Sequence, residues 1–339
     1  MNIAIIGAGL TGLTWARCFA DANQLVTVFE GENYLGGNCF DYFDKSTNVY
    51  VHNHGPHIFH TNKENVWNFI NRFSRFNNYI HKALARTSMG EFFVPLSVNC
   101  TMNENEIIEL FFKSYSIKQW GKPWDKLPEF VRSRVPRKRD IESNQYFLDK
   151  YQGIPIDGYN MMFKKMVDHN NIKIVFNSFI DYQFLFFSSF DIIIVTDSID
   201  RFFNYCFGKL PYRSARFVHY KSPGTQWRYV INDCTLNNSY TRIWDNRTWL
   251  NGINSESETI VSEEYPIEYQ INKSMARTHP ILEQENICLY QKYLDYSKLY
   301  SNKFIFSGRL GTYKYIDMDE AIHSVLTKFN EIKECYIKK

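Results

Sequence analysis

The chain lacks any Cys-x-x-Cys pair. Its seven cysteines (Cys18, Cys39, Cys100, Cys206, Cys234, Cys288 and Cys335) are scattered and odd in number. That argues against a disulfide framework and against a thiolate metal site, and it fits a reducing, cytoplasmic setting. The chain also lacks the 18 or so uninterrupted apolar residues of a membrane span. The Phe184-to-Val195 region comes nearest and is broken by Ser188, Ser189 and Asp191. The run Ile3-Ala4-Ile5-Ile6 is too short for a signal peptide, so a soluble protein is expected. Net charge is scarce as well: +3 gives no electrostatic footprint for nucleic acid, although a few well-placed arginines still suit an anionic substrate. No internal repeat and no low-complexity linker is visible. What the chain has in quantity is aromatic residues, 28 Phe and 23 Tyr among 339 residues, enough apolar bulk for a substantial core.

Periodicity places the elements. Asn2–Ile6 reads as a buried parallel-type strand, Leu10–Asp21 as a helix and Leu25–Phe29 as the next strand. A helix is expected near Glu64 to Phe76. Another is expected from Asn103 to Trp120, with Ile107, Ile108, Phe111 and Phe112 on one face. Between Tyr212 and Tyr269, short alternating runs split by Ser222-Pro223-Gly224 and Asn237-Asn238-Ser239 predict an antiparallel sheet. Asp191–Val195 and Lys303–Phe306 read as late returns to the first sheet, so the domains interleave.

The first chemistry-bearing pattern is Gly7-Ala8-Gly9-Leu10-Thr11-Gly12, between a strand and a helix. One glycine permits the tight turn, one lets backbone amides approach a pyrophosphate, and one lets helix pack on strand. Glu30 ends the second strand about 20 residues later, where an acid accepts hydrogen bonds from a ribose. The Gly36-Gly37-Asn38 that follows resembles the FAD-binding fold shared by amine oxidases and related flavoproteins. The fold class expected is therefore α/β: an FAD-binding Rossmann-like domain with an interleaved helical insertion and an antiparallel β-sheet domain. His52, His54, His57 and His60 fall within nine positions, but no carboxylate stands at ligand spacing and an extended chain splays alternate residues. No metal is expected.

His54-Gly55-Pro56-His57-Ile58-Phe59-His60-Thr61 resembles the GAHIFHT-type signature of UDP-galactopyranose mutases. So do Tyr115-Ser116-Ile117-Lys118-Gln119-Trp120-Gly121, Ser133-Arg134-Val135-Pro136, Asn144-Gln145-Tyr146-Phe147, Tyr240-Thr241-Arg242-Ile243, Glu264-Tyr265-Pro266, Gly308-Arg309-Leu310 and Tyr313-Lys314-Tyr315-Ile316-Asp317-Met318. These matches run in order over nearly the whole chain. The resemblance implies a flavin-dependent isomerase that interconverts a nucleotide-diphosphate pyranose and its furanose through a covalent flavin–sugar adduct, supplying furanose donors for surface polysaccharide. It implies FAD, active when reduced without net redox change, with NAD(P)H as an external reductant. It also implies a nucleotide-sugar substrate, by family default UDP-linked, and a homodimer.

Carried over by residue, the resemblance has Arg134 and Arg242 hold the diphosphate, a task suited to the paired donors of a permanently charged guanidinium. Tyr146 and Tyr315 add phosphate hydrogen bonds, Tyr115 stacks on the base, and Trp120 lies near the sugar-phosphate end. His57 lies against the flavin and, with the two arginines, is the expected catalytic set. Gly7, Gly9, Leu10, Thr11, Gly12, Glu30, Gly36, Gly37, Asn38, Ile58, Arg309, Tyr315, Asp317 and Met318 complete the cofactor set. Thr278-His279-Pro280 departs from the family's Y-Y-P, Phe93 falls where the family has asparagine, and the helical region between Cys100 and Tyr115 is shorter. The division expected is 1–75, 146–205 and 286–339 for the FAD-binding domain, 76–98 and 206–285 for the antiparallel sheet, and 99–145 for the helical insertion with its substrate-binding loop. The same fold also carries amine-oxidase-type oxidoreductases and would carry a non-catalytic nucleotide-sugar-binding relative. The altered Thr278-His279 and Phe93 positions are what support the latter. The sugar and the base are not readable.

Overall fold

The computed structural model describes residues 1–133, 138–186, 189–224, 228–249, 258–271, 275–300 and 303–334. Asn2–Ile6 is a strand because its apolar run is too short for a helix and buries both faces: Ile3, Ala4, Ile5 and Ile6 are all buried. It lies at the centre of a five-stranded parallel sheet. Leu25–Phe29 and then Ile172–Val175 flank it on one side, Ile192–Val195 and then Phe304–Phe306 on the other. The helix Leu10–Asp21 covers one face of this sheet and meets the helix Met318–Ile332. Trp15, Phe19 and Phe329 interlock there, with Phe19 and Phe329 edge-to-face at 5.2 Å.

The second layer is a seven-stranded sheet. Its strands are, in spatial order, His279–Pro280, Tyr212–Ser222, Thr259–Glu268, Arg242–Asp245, Val230–Asp233, Ala83–Thr87 and Gly90–Val94. All neighbours pair antiparallel except Val230–Asp233 with Ala83–Thr87, which run parallel. The turn signals between Tyr212 and Tyr269 were therefore those of a sheet. The edge strand Ile172–Val175 and the hairpin of Asp41–Asp44 with Val49–His52 carry weaker signals in the sequence.

The Asn103–Trp120 segment is helical throughout, opened by a capping box in which Asn103 Oδ1 accepts from the Glu106 amide at 3.1 Å. A wider π-type turn over Ile108–Lys113 shifts its face, so Ile107 and Phe111 are buried while Ile108 and Phe112 are only half-buried. Gly121, at φ +68°, ends it. The expected helix at Glu64 stops at Asn71 rather than Phe76. The described cysteines are all free; Cys335 lies outside the described residues. Among the described residues no helix is long and apolar enough to cross a membrane.

Candidate active site

The glycine turn is built for an anion. At Gly7 the backbone takes φ +99°, and a Cβ there would lie 2.5 Å from Thr196 Oγ1. At Gly12 a Cβ would lie 2.0 Å from the Gly7 carbonyl oxygen, so only glycine lets the helix approach the strand. Gly9 differs: a Cβ would meet nothing nearer than Gly36 O at 4.0 Å, so its face is open. Gly9 is the N-cap of the Leu10–Asp21 helix, which has no side-chain cap and no acid in its first turn. The positive end of a 12-residue helix therefore meets an open backbone face, which fits a pyrophosphate. Leu10 and Thr11 are buried in that first turn.

Glu30 stands beside this turn. Its carboxylate accepts from the amides of Ala8 at 2.6 Å and Glu32 at 2.9 Å. Burial raises its pKa above the usual carboxylate range, and the two amides act the other way. Gly36 is bridged to Gly9, and its amide donates to Ala8 O at 2.8 Å. This joins the second glycine pair to the first. Asn38 donates to the Arg277 carbonyl at 2.8 Å and reaches the edge of the cavity described next.

A cavity of about 640 Å³ opens beside the seven-stranded sheet, lined also by the Ser114–Trp120 helix and by loop residues around 54–58 and 315–317. His57, Ile58, Asp317 and Met318 wall one part; Tyr115, Trp120, Tyr146, Arg242, Arg309 and Tyr315 wall others. Of the residues expected at the substrate, only Arg134 is missing from this account: it lies outside the described residues, as does Arg137. Phe93 does not reach the cavity and packs edge-on against Tyr229 at 5.2 Å.

The four clustered histidines each have a separate local partner. Since a carbonyl only accepts, His57 Nδ1 carries the proton that it shares with Gly55 O at 2.8 Å, which leaves Nε2 as an acceptor. Burial holds the His57 pKa down to about 3, so the ring is neutral at working pH. His52 Nδ1 accepts from the His57 amide at 3.0 Å, and its ring stacks on Trp249 at 5.1 Å. His54 contacts Asn53 Nδ2 at 3.0 Å, and His60 contacts Asp149 at 2.9 Å. Among the described residues no three His, Cys, Asp or Glu side chains group to hold a metal ion.

Arg242 opens a strand whose register puts it directly opposite Glu264. Its Nε donates to Glu264 Oε2 at 2.6 Å, and Nη2 meets the same oxygen at 2.5 Å. Burial is the largest single influence and lowers the arginine's pKa, but the Glu264 carboxylate together with Tyr115 and Tyr146 raises it overall. Glu264 lies within a matched motif yet was assigned no role; the signal was its cross-strand position, visible only once strands are paired. Arg309 is tied to backbone, donating to Ile316 O at 2.6 Å and Thr278 O at 2.8 Å, with its guanidinium 5.1 Å from the Tyr315 ring. His279 stacks on Tyr315 at 4.6 Å and meets Trp120 edge-on at 6.1 Å. His81 and Phe147 also line the cavity; Phe147 falls within a matched motif, and nothing in its sequence context marks His81.

Residues 110–315 match the family model for UDP-galactopyranose mutase, and residues 5–73 match that for an NAD(P)-binding Rossmann-like domain. The UDP-galactopyranose mutase of Mycoplasma genitalium is 32% identical over 98% of this chain and 94% of its own. The dTDP-fucopyranose mutase of Escherichia coli is 27% identical over 99% of this chain and 98% of its own. A crystal structure of reduced UDP-galactopyranose mutase shares the fold, with TM-score 0.78 at 13% identity over 98% of this chain and 94% of that one. An L-amino-acid oxidase of Mus musculus matches over only 46 residues, 14% of the chain, which leaves the oxidoreductases as distant relatives through the dinucleotide fold. With more than half its length inside the family model and a 32%-identical relative aligned almost end to end, the chain belongs to the UDP-galactopyranose mutase family.

Proposed function

We propose that this protein interconverts the pyranose and furanose forms of a nucleotide-diphosphate sugar, with FAD seated on the glycine turn and the substrate in the 640 Å³ cavity. One observation carries the reading. One cavity is lined both by His57, Ile58, Asp317 and Met318, the residues expected at the cofactor, and by Tyr115, Trp120, Tyr146 and Arg242, the residues expected at the substrate. A diphosphate-linked sugar held there would have its anomeric carbon between the two.

Exchanging which hydroxyl closes the ring requires the bond from anomeric carbon to diphosphate to break and re-form. When bound in its reduced form, FAD supplies an electron-rich nucleophile for that carbon with no net redox change. The chain's own residues hold the leaving diphosphate in place. Arg242 spends Nε and Nη2 on Glu264, and its Nη1 has no protein partner among the described residues. Because that pair is already neutral overall, a second cation is needed as charge develops on the diphosphate, and Arg134 is our candidate. His57, neutral with Nε2 free to accept, would take a hydrogen bond or proton from a sugar hydroxyl or the cofactor. It would not donate one. Tyr115 would stack on the base, with Tyr146 and Tyr315 donating to phosphate.

Finer points follow the same reading. The relatives act on a UDP- and a dTDP-sugar; we propose UDP for this chain and leave the sugar open. We further propose NAD(P)H as external reductant, a cytoplasmic location, where nucleotide sugars and reduced nicotinamides are made, and a homodimer. The test is incubation of dithionite-reduced protein with a panel of UDP- and dTDP-sugars, resolving pyranose from furanose by chromatography and NMR. Furanose formed with no reductant consumed per turnover is the expected result. One NAD(P)H oxidised per product, or no furanose from any donor, would overturn the proposal.

A further inference from the structure

We propose that Lys118 is a positioning residue that sets the gap between the two substrate-binding walls of the cavity. It lies in the Ser114–Trp120 helix, three residues after Tyr115 and two before Trp120, and its side chain is only 7% exposed. Its ammonium has three protons, and the strand connection from Val230–Asp233 to Arg242–Asp245 supplies three acceptors. They are Tyr240 O at 2.8 Å, Asn238 O at 3.2 Å and Asp233 Oδ1 at 3.3 Å. With every proton occupied inside the protein, Lys118 has none left for substrate.

The receiving turn is itself organised around Asp233, which is fully buried. Its carboxylate accepts from the Thr235 amide at 2.9 Å, the Thr235 hydroxyl at 2.8 Å and Asn238 Nδ2 at 2.8 Å. Lys118 thus grips a pre-formed turn rather than a mobile loop. Tyr240, whose carbonyl makes the shortest of the three contacts, is two residues before Arg242. One residue beyond Lys118, the same end of the helix is held by Arg213, whose Nε donates to Gln119 O at 3.0 Å. Arg213 belongs to the strand Tyr212–Ser222, on the far side of Thr259–Glu268 from the strand of Arg242. The last turn of the helix is therefore tied to both sides of the Thr259–Glu268 strand, through Lys118 on one side and Gln119 on the other, and the aromatic wall it carries has a fixed distance from the arginine wall.

A buried charge pair brings little net stability over a well-packed apolar pair, so its value lies in fixing one arrangement. Here that arrangement is the separation of Tyr115 and Trp120 from Arg242. A ligand that spans both walls needs the correct gap; a ligand that touches only the arginine side does not.

The proposal rests on the nucleotide-sugar reading above, and the test separates the two. Flavin-loaded wild type, Lys118→Met and Lys118→Gln are titrated with UDP, dTDP and inorganic pyrophosphate by calorimetry, with flavin content and Tm recorded. Lys118→Met should weaken the tighter-binding nucleotide at least about tenfold while pyrophosphate affinity stays within about twofold, since misplacement by an ångström is enough for such losses. Lys118→Gln, which keeps hydrogen bonding to the turn but not the charge, should fall between, at about threefold. In turnover, KM should rise more than kcat falls. Equal weakening of nucleotide and pyrophosphate, or no weakening of either, would overturn the strut. Should Lys118→Met fail to fold, Lys118→Gln is judged by the same two ratios. A wild type that binds neither nucleotide would instead remove the nucleotide-sugar reading, and the strut with it.

Discussion

The two walls of the site are made of different material. On the proposed cofactor side, beyond the His57, Ile58, Asp317 and Met318 side chains that line the cavity, the pyrophosphate cradle is backbone: Gly7, Gly9, Gly12 and Gly36 act by lacking side chains, and they lie within 30 residues of one another. The proposed substrate wall is side chains from distant segments, with Tyr115, Tyr146, Arg242 and Tyr315 brought together by a helix, two loops and one strand of the seven-stranded sheet. A backbone cradle recognises a pyrophosphate in any protein that folds this turn, so the turn alone does not choose between a mutase and an oxidoreductase. A side-chain wall can change its ligand one residue at a time. Relatives of similar likeness accordingly include both a UDP-galactopyranose and a dTDP-fucopyranose mutase.

The largest effect should come from breaking the backbone wall. Gly9→Val places methyl groups on the one open face of the turn, and the purified variant should carry no flavin absorbance. A variant that retains full FAD content would show that the pyrophosphate does not lie there. The next effect strikes the side-chain wall. Arg242→Ala should lower kcat/KM by about tenfold to a hundredfold with flavin unchanged. It should also destabilise the fold by about 2 kcal/mol, because Glu264 keeps a buried carboxylate without its partner. Arg242→Ala with Glu264→Gln should recover much of the Tm and none of the activity. If activity returns with stability, Arg242 is structural.

Acid should distinguish the walls differently. His54, His57 and His81 have pKa values held down by burial to about 4, 3 and 3, and all three line the cavity. Unfolded, each takes a proton near pH 6.5. The unfolded state therefore binds more protons between pH 6.5 and the folded values, and stability falls as pH drops through that window. Each histidine contributes about 1.4 kcal/mol per pH unit. Thermal melts from pH 7 to pH 4 should show this slope, and replacing His81 with Asn should flatten it by about one such increment. No flattening would mean that His81 titrates normally. The smallest effect belongs to Phe93→Asn, which should alter kcat/KM less than about threefold, since Phe93 faces Tyr229 and not the cavity. A larger change in KM would bring that position back into the site.

The same contrast explains what could be read without coordinates. The strand, turn and helix from Asn2 to Phe29 have the bounds their pattern predicts, because glycine spacing and apolar period are local signals. The substrate residues could be named only through resemblance, since no period links Tyr115 to Arg242. Glu264 had a matched motif but no meaning until the register set it across from Arg242. The Ile108–Lys113 turn widens for reasons of packing that a 3.6-residue period does not carry. His81 lines the cavity, yet it lies outside every matched motif and reads in sequence as an ordinary core residue.

The order in which the parallel sheet is threaded has a consequence for biosynthesis. Its centre is made of residues 2–6, but the strand Ile192–Val195 stays an open edge until Phe304–Phe306 has been made. The Trp15–Phe19 surface likewise stays uncovered until Phe329 arrives. A nascent chain several hundred residues long therefore leaves the ribosome with an unpaired apolar strand and a bare aromatic helix face, a state prone to misassociation. Yield in a heterologous host should depend on chaperone supply and on translation speed late in the message more than on the stability of the finished fold.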